Sequence, residues 1–208
     1  MRYHHLLEDI LGQLSKVKVL RFLVSGGGEW GGREIARNVG LSHPIVHRSL
    51  QALAAHGLVV SRRSGGALLY RASPDHWIVR ELLGPLFSRE RDALQALGAF
   101  LLKRLKIPGA SLILFGSVGR GEERPDSDID LLVVLPDGRR KQEIEARVLE
   151  VAPEVSRVFG NRLASVVLTR TEFRDRLRRR ERWVRAVLKE GQVIGGKPLT
   201  ELVTRDGA

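Results

Sequence analysis

The sequence predicts a multidomain α+β protein. Three observations carry that expectation. The first third repeats short amphipathic helical patterns and closes on two alternating segments around a Gly-Gly pair. Residues 75–106 keep a helical stripe. Beyond 107, predominantly apolar segments at 112–115, 129–135 and 163–168 read as buried strands between helical segments. With 208 residues the chain can form two modest domains. The expected parts are a first domain at 1–74, a helical connector at 75–106, a second domain at 107–190 and a tail at 191–208.

Residues 3–12 place Leu6, Leu7, Ile10 and Leu11 on one side of a short helix. A second helix is expected from Ser15, a suitable N-cap, with Val17, Val19, Leu20, Leu23 and Val24 inward until the glycines at 26–28 stop it. A third spans 31–39, with Ile35, Ala36 and Val39 inward and Gly40 at its end. The fourth runs from the N-cap Ser42 to about His56. Pro44 is tolerated in its first turn, where the N–H has no intrahelical acceptor. Val46, Leu50 and Leu53 form its apolar stripe, leaving His43, His47, Arg48 and Gln51 on other faces. Strand segments at 58–62 and 67–71 flank a hairpin turn at 63–66.

Helix, helix, helix and two-stranded hairpin is the order of a winged helix-turn-helix. The segment GREIARNVGLSHPIVHRSLQALAAHGLV resembles bacterial transcriptional regulators of that family, over about residues 1–74. The resemblance implies that the fourth helix enters the major groove of double-stranded DNA. His43, His47, Arg48 and Gln51 would then be its groove contacts, and Arg62 and Arg63 would contact DNA from the wing. Arg33 and Arg37 are further phosphate candidates. Charge agrees: residues 1–74 hold ten Lys and Arg against four Asp and Glu. His4, His5, His43, His47 and His56 lack a cysteine or an evident acidic partner and read as surface and groove histidines.

In the connector, 75–83 is expected as a short helix with Trp77 and Ile78 packing inward. A longer helix follows from Pro85 to about Leu105, its stripe formed by Leu86, Leu94, Leu97, Leu101 and Leu105. It could be a rigid spacer, part of the second domain, or the interface of a homodimer reading a two-fold DNA site.

The chain's chemistry is concentrated in residues 111–135, SLILFGSVGRGEERPDSDIDLLVVL. A strand at 112–115 ends at Gly116-Ser117, a tight turn into a helix. A second strand at 129–135 carries Asp128 and Asp130 at its mouth. A period of two puts both carboxylates on one face, where they repel unless a cation lies between them. A divalent metal is the simplest such cation, because Mg²⁺ takes carboxylates together with substrate phosphates. Gly116 and Gly121 let backbone N–H groups approach an anion, and Ser117 and Arg120 could add a hydroxyl and a charge.

Gly116-Ser117, Arg120-Gly121 and Ser127-Asp128-Ile129-Asp130-Leu131 resemble the signature of the DNA polymerase beta-type nucleotidyltransferase superfamily, in particular its minimal branch, over about residues 95–190. The resemblance implies a mixed β-sheet flanked by helices. It implies nucleotidyl transfer from an NTP, ATP in the first instance, to a protein or small acceptor. Asp128 and Asp130 would be the catalytic, Mg²⁺-holding pair; Gly116, Ser117, Arg120 and Gly121 would bind the nucleotide. Active members carry a third carboxylate on a later strand, where this sequence offers Ser165. No Asp or Glu occurs between Glu154 and Glu172. Two readings stay open: a DNA-binding protein with a working Mg²⁺-dependent transferase, or a transcriptional regulator whose degenerate transferase-like domain senses nucleotide or binds a partner. Minimal members often resemble antitoxins that modify a helical partner; here that partner would be a separate protein.

The remaining elements are a turn at 136–138, a helix at 140–151, a strand at 163–168, and a helix from the N-cap Thr171 with Phe173 and Leu177 inward. Helix continues over 178–190 with Trp183, Val187 and Leu188 buried, before a tail with little structure of its own. The formal net charge of +11 favours polyanionic partners. The absence of cysteine excludes disulfides and thiolate chemistry. No apolar run approaches the ~20 residues of a membrane span. The start, MRYHHLLEDI, lacks a signal-peptide core, so a cytoplasmic location is expected.

Overall fold

In the computed structural model, which describes residues 6–203, contacts divide the chain between Asp92 and Ala93. The first unit holds helices α1 (Leu6–Leu11), α2 (Leu14–Gly26), α3 (Gly32–Val39) and α4 (His43–Ala55). It also holds strands β1 (Trp30–Gly31), β2 (Val59–Ser64) and β3 (Ala67–Ala72), a π-helical turn at Val79–Leu83, and α5 (Gly84–Arg91). The three strands form an antiparallel sheet in the order β1-β3-β2. The core is the inward stripe of the helices: Val19, Leu20 and Leu23 of α2, Ile35 of α3, and Val46, Leu50 and Leu53 of α4, with Leu58, Ile78, Leu83 and Phe87.

The second unit holds α6 (Ala93–Leu105), β4 (Ser111–Phe115), α7 (Gly116–Arg120), β5 (Ile129–Leu135) and α8 (Lys141–Phe159). It continues with β6 (Leu163–Thr169), α9 (Arg170–Arg178), α10 (Arg182–Glu190), β7 (Gln192–Gly195) and α11 (Leu199–Val203). Its four-stranded sheet has the order β6-β5-β4-β7 and is mixed: β5 runs parallel to β6 and antiparallel to β4, which is antiparallel to β7. Both faces are covered, which is why Leu112–Phe115 of β4 and Leu131–Leu135 of β5 are continuous apolar runs rather than alternating ones. One core joins Leu112, Leu131 and Val133 to Leu97 and Leu101 of α6 and Val148 and Val155 of α8. The other joins Ile113, Leu132 and Val134 to Phe173 of α9, Val184 and Val187 of α10 and Leu202 of α11. No helix among the described residues is long and apolar enough to cross a membrane.

Several local expectations are corrected. Ser15 lies inside α2, whose N-cap is Gln13. The hairpin turn narrows to Gly65 and Gly66, both at positive φ, so Arg63 and Ser64 extend β2. The helix expected from 75 begins at Trp77, after a turn at 73–76, and is π-helical over Val79–Leu83. Ile78, Val79 and Leu83 face the core, while Trp77 is exposed and Leu86 half-exposed. The connector helix breaks at Asp92, so residues 75–106 are shared between the units. Helix α8 passes through Pro153 to Phe159 because Val155 is needed in the core.

The N-cap of α9 is Thr169, not Thr171: its Oγ1 accepts the Glu172 amide at 3.1 Å, and the Glu172 carboxylate accepts the Thr169 amide at 3.0 Å, a capping box. Residues 179–181 interrupt the helix expected to continue to 190. The expected tail supplies β7 and α11, with Ile194 and Leu202 buried. Residues 3–5 of the first expected helix, with His4 and His5, lie outside the described residues, as do 204–208 of the tail.

Candidate functional site

In the first unit the residues expected to contact DNA from a helix all lie on α4. Burial of Val46, Ser49, Leu50 and Leu53 fixes its orientation. His43, His47 and Gln51 follow one another at four-residue spacing on the opposite side, with Arg48 beside them, and all four are exposed. The His43 and His47 rings are stacked with centroids 6.2 Å apart. Ser42 sits at the N-cap without a side-chain capping bond. A surface cleft between α3 and α4 is lined by Arg33, Arg37 and His43. On the wing, Arg63 is exposed, whereas Arg62 is engaged: its Nε donates to both carboxylate oxygens of Glu29 at 2.8 Å. Arg62 holds the Glu29 carboxyl below its ordinary range, chiefly through this hydrogen bond. The two residues are 33 apart in sequence, so only the fold reveals the pair.

In the second unit, β4 delivers Phe115 to Gly116, where the chain turns with φ +67° into the five-residue α7. Phe115 is the register partner of Asp130, so the Gly-Ser turn and the aspartate meet. A methyl group on Gly116 would overlap Oδ2 of Asp130, which only glycine avoids in that conformation. Asp128 and Asp130 fall on one face as expected. Asp130 is half-buried, and its carboxyl is pushed above the ordinary aspartate range by burial first and the charge of Asp128 second, against the pull of Arg120. Arg120 donates to Glu122 at 2.7 Å and to Glu190 at 3.4 Å. Ser117 and Gly121 complete the turn, the carbonyl of Ser117 accepting both the Gly121 and Glu122 amides.

The parallel register of β5 and β6 decides what else shares this face. Ile129 pairs with Leu163, Asp130 with Ala164 and Leu131 with Ser165. Ser165 is therefore on the opposite face from Asp130, a correction of the sequence expectation, because one residue along a strand reverses the side chain. The positions beside the carboxylate pair are Arg162, Ala164 and Val166. The Ile129 amide donates to the Arg162 carbonyl at 2.8 Å, bringing Arg162 level with Asp128. The Arg162 guanidinium grips Asp128 bidentately, at 3.0 Å to Oδ1 and 2.6 Å to Oδ2. Arg162 holds the Asp128 carboxyl below its ordinary range through that hydrogen bond. The sequence signal for Arg162 was faint: a cation directly preceding the strand that lacks the acid.

These residues do not fit the two-Mg²⁺ set that the resemblance implies. Both oxygens of Asp128 are taken by Arg162, and Asp130 has no carboxylate beside it on β6. Among the described residues no group of three or more His, Cys, Asp or Glu could hold a metal.

The family description "Nucleotidyltransferase domain" matches residues 97–190, and "IclR helix-turn-helix domain" matches residues 17–63. The chain is a winged helix-turn-helix module joined to a nucleotidyltransferase-like domain. Among solved structures, it is 29% identical to NolR from Sinorhizobium fredii, over 38% of this chain and 74% of NolR, with a TM-score of 0.33. It is 23% identical to the transcriptional repressor BigR from Xylella fastidiosa, over 39% and 80% of the two chains, with a TM-score of 0.34. With Rv0081 of M. tuberculosis the identity is 26% over 43% and 86%, at a TM-score of 0.34. No curated protein matches this chain.

The opposed shifts at the aspartates in the nucleotidyltransferase-like domain make a prediction. A carboxyl raised above its unfolded value stabilises the fold only while protonated, and that contribution is lost as pH rises through the folded value. Ionised Asp130 thus opposes folding at neutral pH. Asp130→Asn raises the thermal midpoint at pH 7 relative to wild type; the difference shrinks as pH falls through the folded value and is gone below about 3.9, the unfolded value. For Asp128, lowered by Arg162, the sign reverses: its contribution is present at neutral pH and lost as pH falls through its folded value. Thermal melts from pH 3 to 8 check both.

Proposed function

We propose that the chain is a DNA-binding transcriptional regulator in which a nucleotidyltransferase-like domain senses nucleotide or binds a partner without turnover. The observation that carries this reading is the carboxylate pair: Asp128 is neutralised by Arg162, and Asp130 stands beside Ala164 where an active site would place another acid. General acid–base assistance is worth typically 10²–10⁴-fold, and no carboxylate on β6 can supply it. The alternative, nucleotidyl transfer from Mg²⁺-bound NTP, would need Arg162 to leave Asp128.

The first domain supports the DNA half. Its fourth helix presents His43, His47, Arg48 and Gln51 outward, as a helix reading base edges in the major groove requires. Arg63 extends from the wing, and Arg33 and Arg37 line the cleft beside the helix. The excess of cations in residues 1–74 gives a field that draws a duplex in. A homodimer would match a two-fold site, and a DNA-binding role would place the protein in the cytoplasm.

The test is duplex binding by the full chain across a salt series. Displacing counterions makes log K fall linearly with log salt, by about 0.9 per phosphate neutralised. A steep negative slope is expected; affinity independent of salt contradicts the reading.

A further inference from the structure

We infer that Arg162 occupies the place of a divalent cation at the carboxylate pair and keeps metal off Asp128, so that this site is neutralised by arginine. This deepens the reading of the second unit as a domain without turnover, and it can be tested with no nucleotide present.

Backbone register, not side-chain rotation alone, puts Arg162 there. The Ile129 amide bonds to the Arg162 carbonyl, and the parallel ladder that begins at Ile129 and Leu163 sets Arg162 level with Asp128. Both side chains then project on the face of Asp130 and Ala164. The guanidinium fork satisfies both Asp128 oxygens, the same atoms a hard cation would need. Its charge neutralises Asp128, the carboxylate a divalent ion would otherwise share with Asp130. A tethered cation is also present at an effective concentration of order mM, so a free divalent ion must compete with it for Asp128. With Arg162 removed, Asp128 and Asp130 present two free carboxylates on one face, the donor set a divalent ion uses. Arg120, the other nearby cation, is engaged by Glu122 and Glu190.

The experiment is Mn²⁺ titration of the full chain, followed by electron paramagnetic resonance of the free ion. Wild type is expected to show no Mn²⁺ binding that depends on Asp128. Arg162→Gln gains a site of one ion per chain, at least about tenfold tighter than anything in wild type, and the double variant Arg162→Gln with Asp128→Asn loses it. Arg162→Lys keeps the charge and still excludes the ion, which a purely structural role for the side chain would not predict. Arg162 is largely exposed, so these variants fold. One Mn²⁺ per wild-type chain, lost in Asp128→Asn, overturns the inference. Failure of Arg162→Gln to gain a site also overturns it. Neither outcome measures nucleotidyl transfer, which label incorporation reports separately, so failure of this inference is distinguishable from failure of the reading without turnover.

Discussion

Replacing Arg48 and Arg63 together with alanine is expected to weaken duplex binding by the full chain roughly a hundredfold. Each exposed guanidinium, in contact with a base edge or phosphate, is worth about 1–3 kcal/mol. Two losses of about 1.4 kcal/mol each, within that range, multiply to that factor. The slope of log K against log salt should flatten by up to about 2, because each arginine that neutralises a phosphate contributes about 0.9. Arg62 behaves differently. Its guanidinium is bound to Glu29, so it must exchange one anion for another when DNA arrives. Arg62→Ala therefore costs less affinity than Arg63→Ala, and Glu29→Ala, which frees Arg62, tightens binding. Titration of a fluorescent duplex with each variant checks the order, with Arg80→Ala, an arginine paired to its neighbour Glu81, as the unaffected control. Equal losses for Arg62 and Arg63 would contradict the account of the wing.

Gly98→Ala should unfold the sheet of the second unit locally. Helix α6 approaches β7 so closely at this glycine that an added methyl overlaps the Ile194 carbonyl oxygen and lies 2.7 Å from its carbon. That neighbour is backbone within a strand and cannot rotate away. The gain from replacing a mid-helix glycine by alanine is about 1 kcal/mol. Overpacking of a core costs typically 1–3 kcal/mol and sometimes more, and here it displaces a ladder strand, so the clash wins. Hydrogen exchange is expected to accelerate in β7 and β4 while α2–α4 stay protected. Gly26→Ala, at a position with nothing within 4 Å, should instead be neutral or mildly stabilising. Unchanged protection of β7 in Gly98→Ala would show that the helix and strand are not held at this distance.

Much of this arrangement was legible because periodicity is local. Six apolar residues of β5, interrupted only by Asp130, set its bounds at Ile129 and Leu135, and the i, i+4, i+7 stripe of α4 identified its buried side. The Gly-Ser turn and the aspartates were expected to converge, and pairing of Phe115 with Asp130 brings them together. What escaped was set by contacts between distant segments. The four residues of β7 are too few to alternate, and they are a strand only because β4 offers a free edge. A parallel register cannot be read from either strand alone, so the face of Ser165 was beyond sequence reasoning. The same register brings Arg162 against Asp128 across 34 residues, and with it the reason to doubt a metal. Trp77 escaped because only tertiary packing decides which of two adjacent apolar residues at a helix start turns inward, and here it is Ile78.

The most direct measurement of the central claim is incubation of the full chain with each α-labelled NTP, Mg²⁺ or Mn²⁺, and a mixture of protein and small acceptors, beside an Asp128→Asn, Asp130→Asn control. With Asp128 held by Arg162 and no acid beside Asp130, the label incorporated by wild type should equal that of the control. Label transferred by wild type and absent from the control would contradict the account and make the second unit a working transferase.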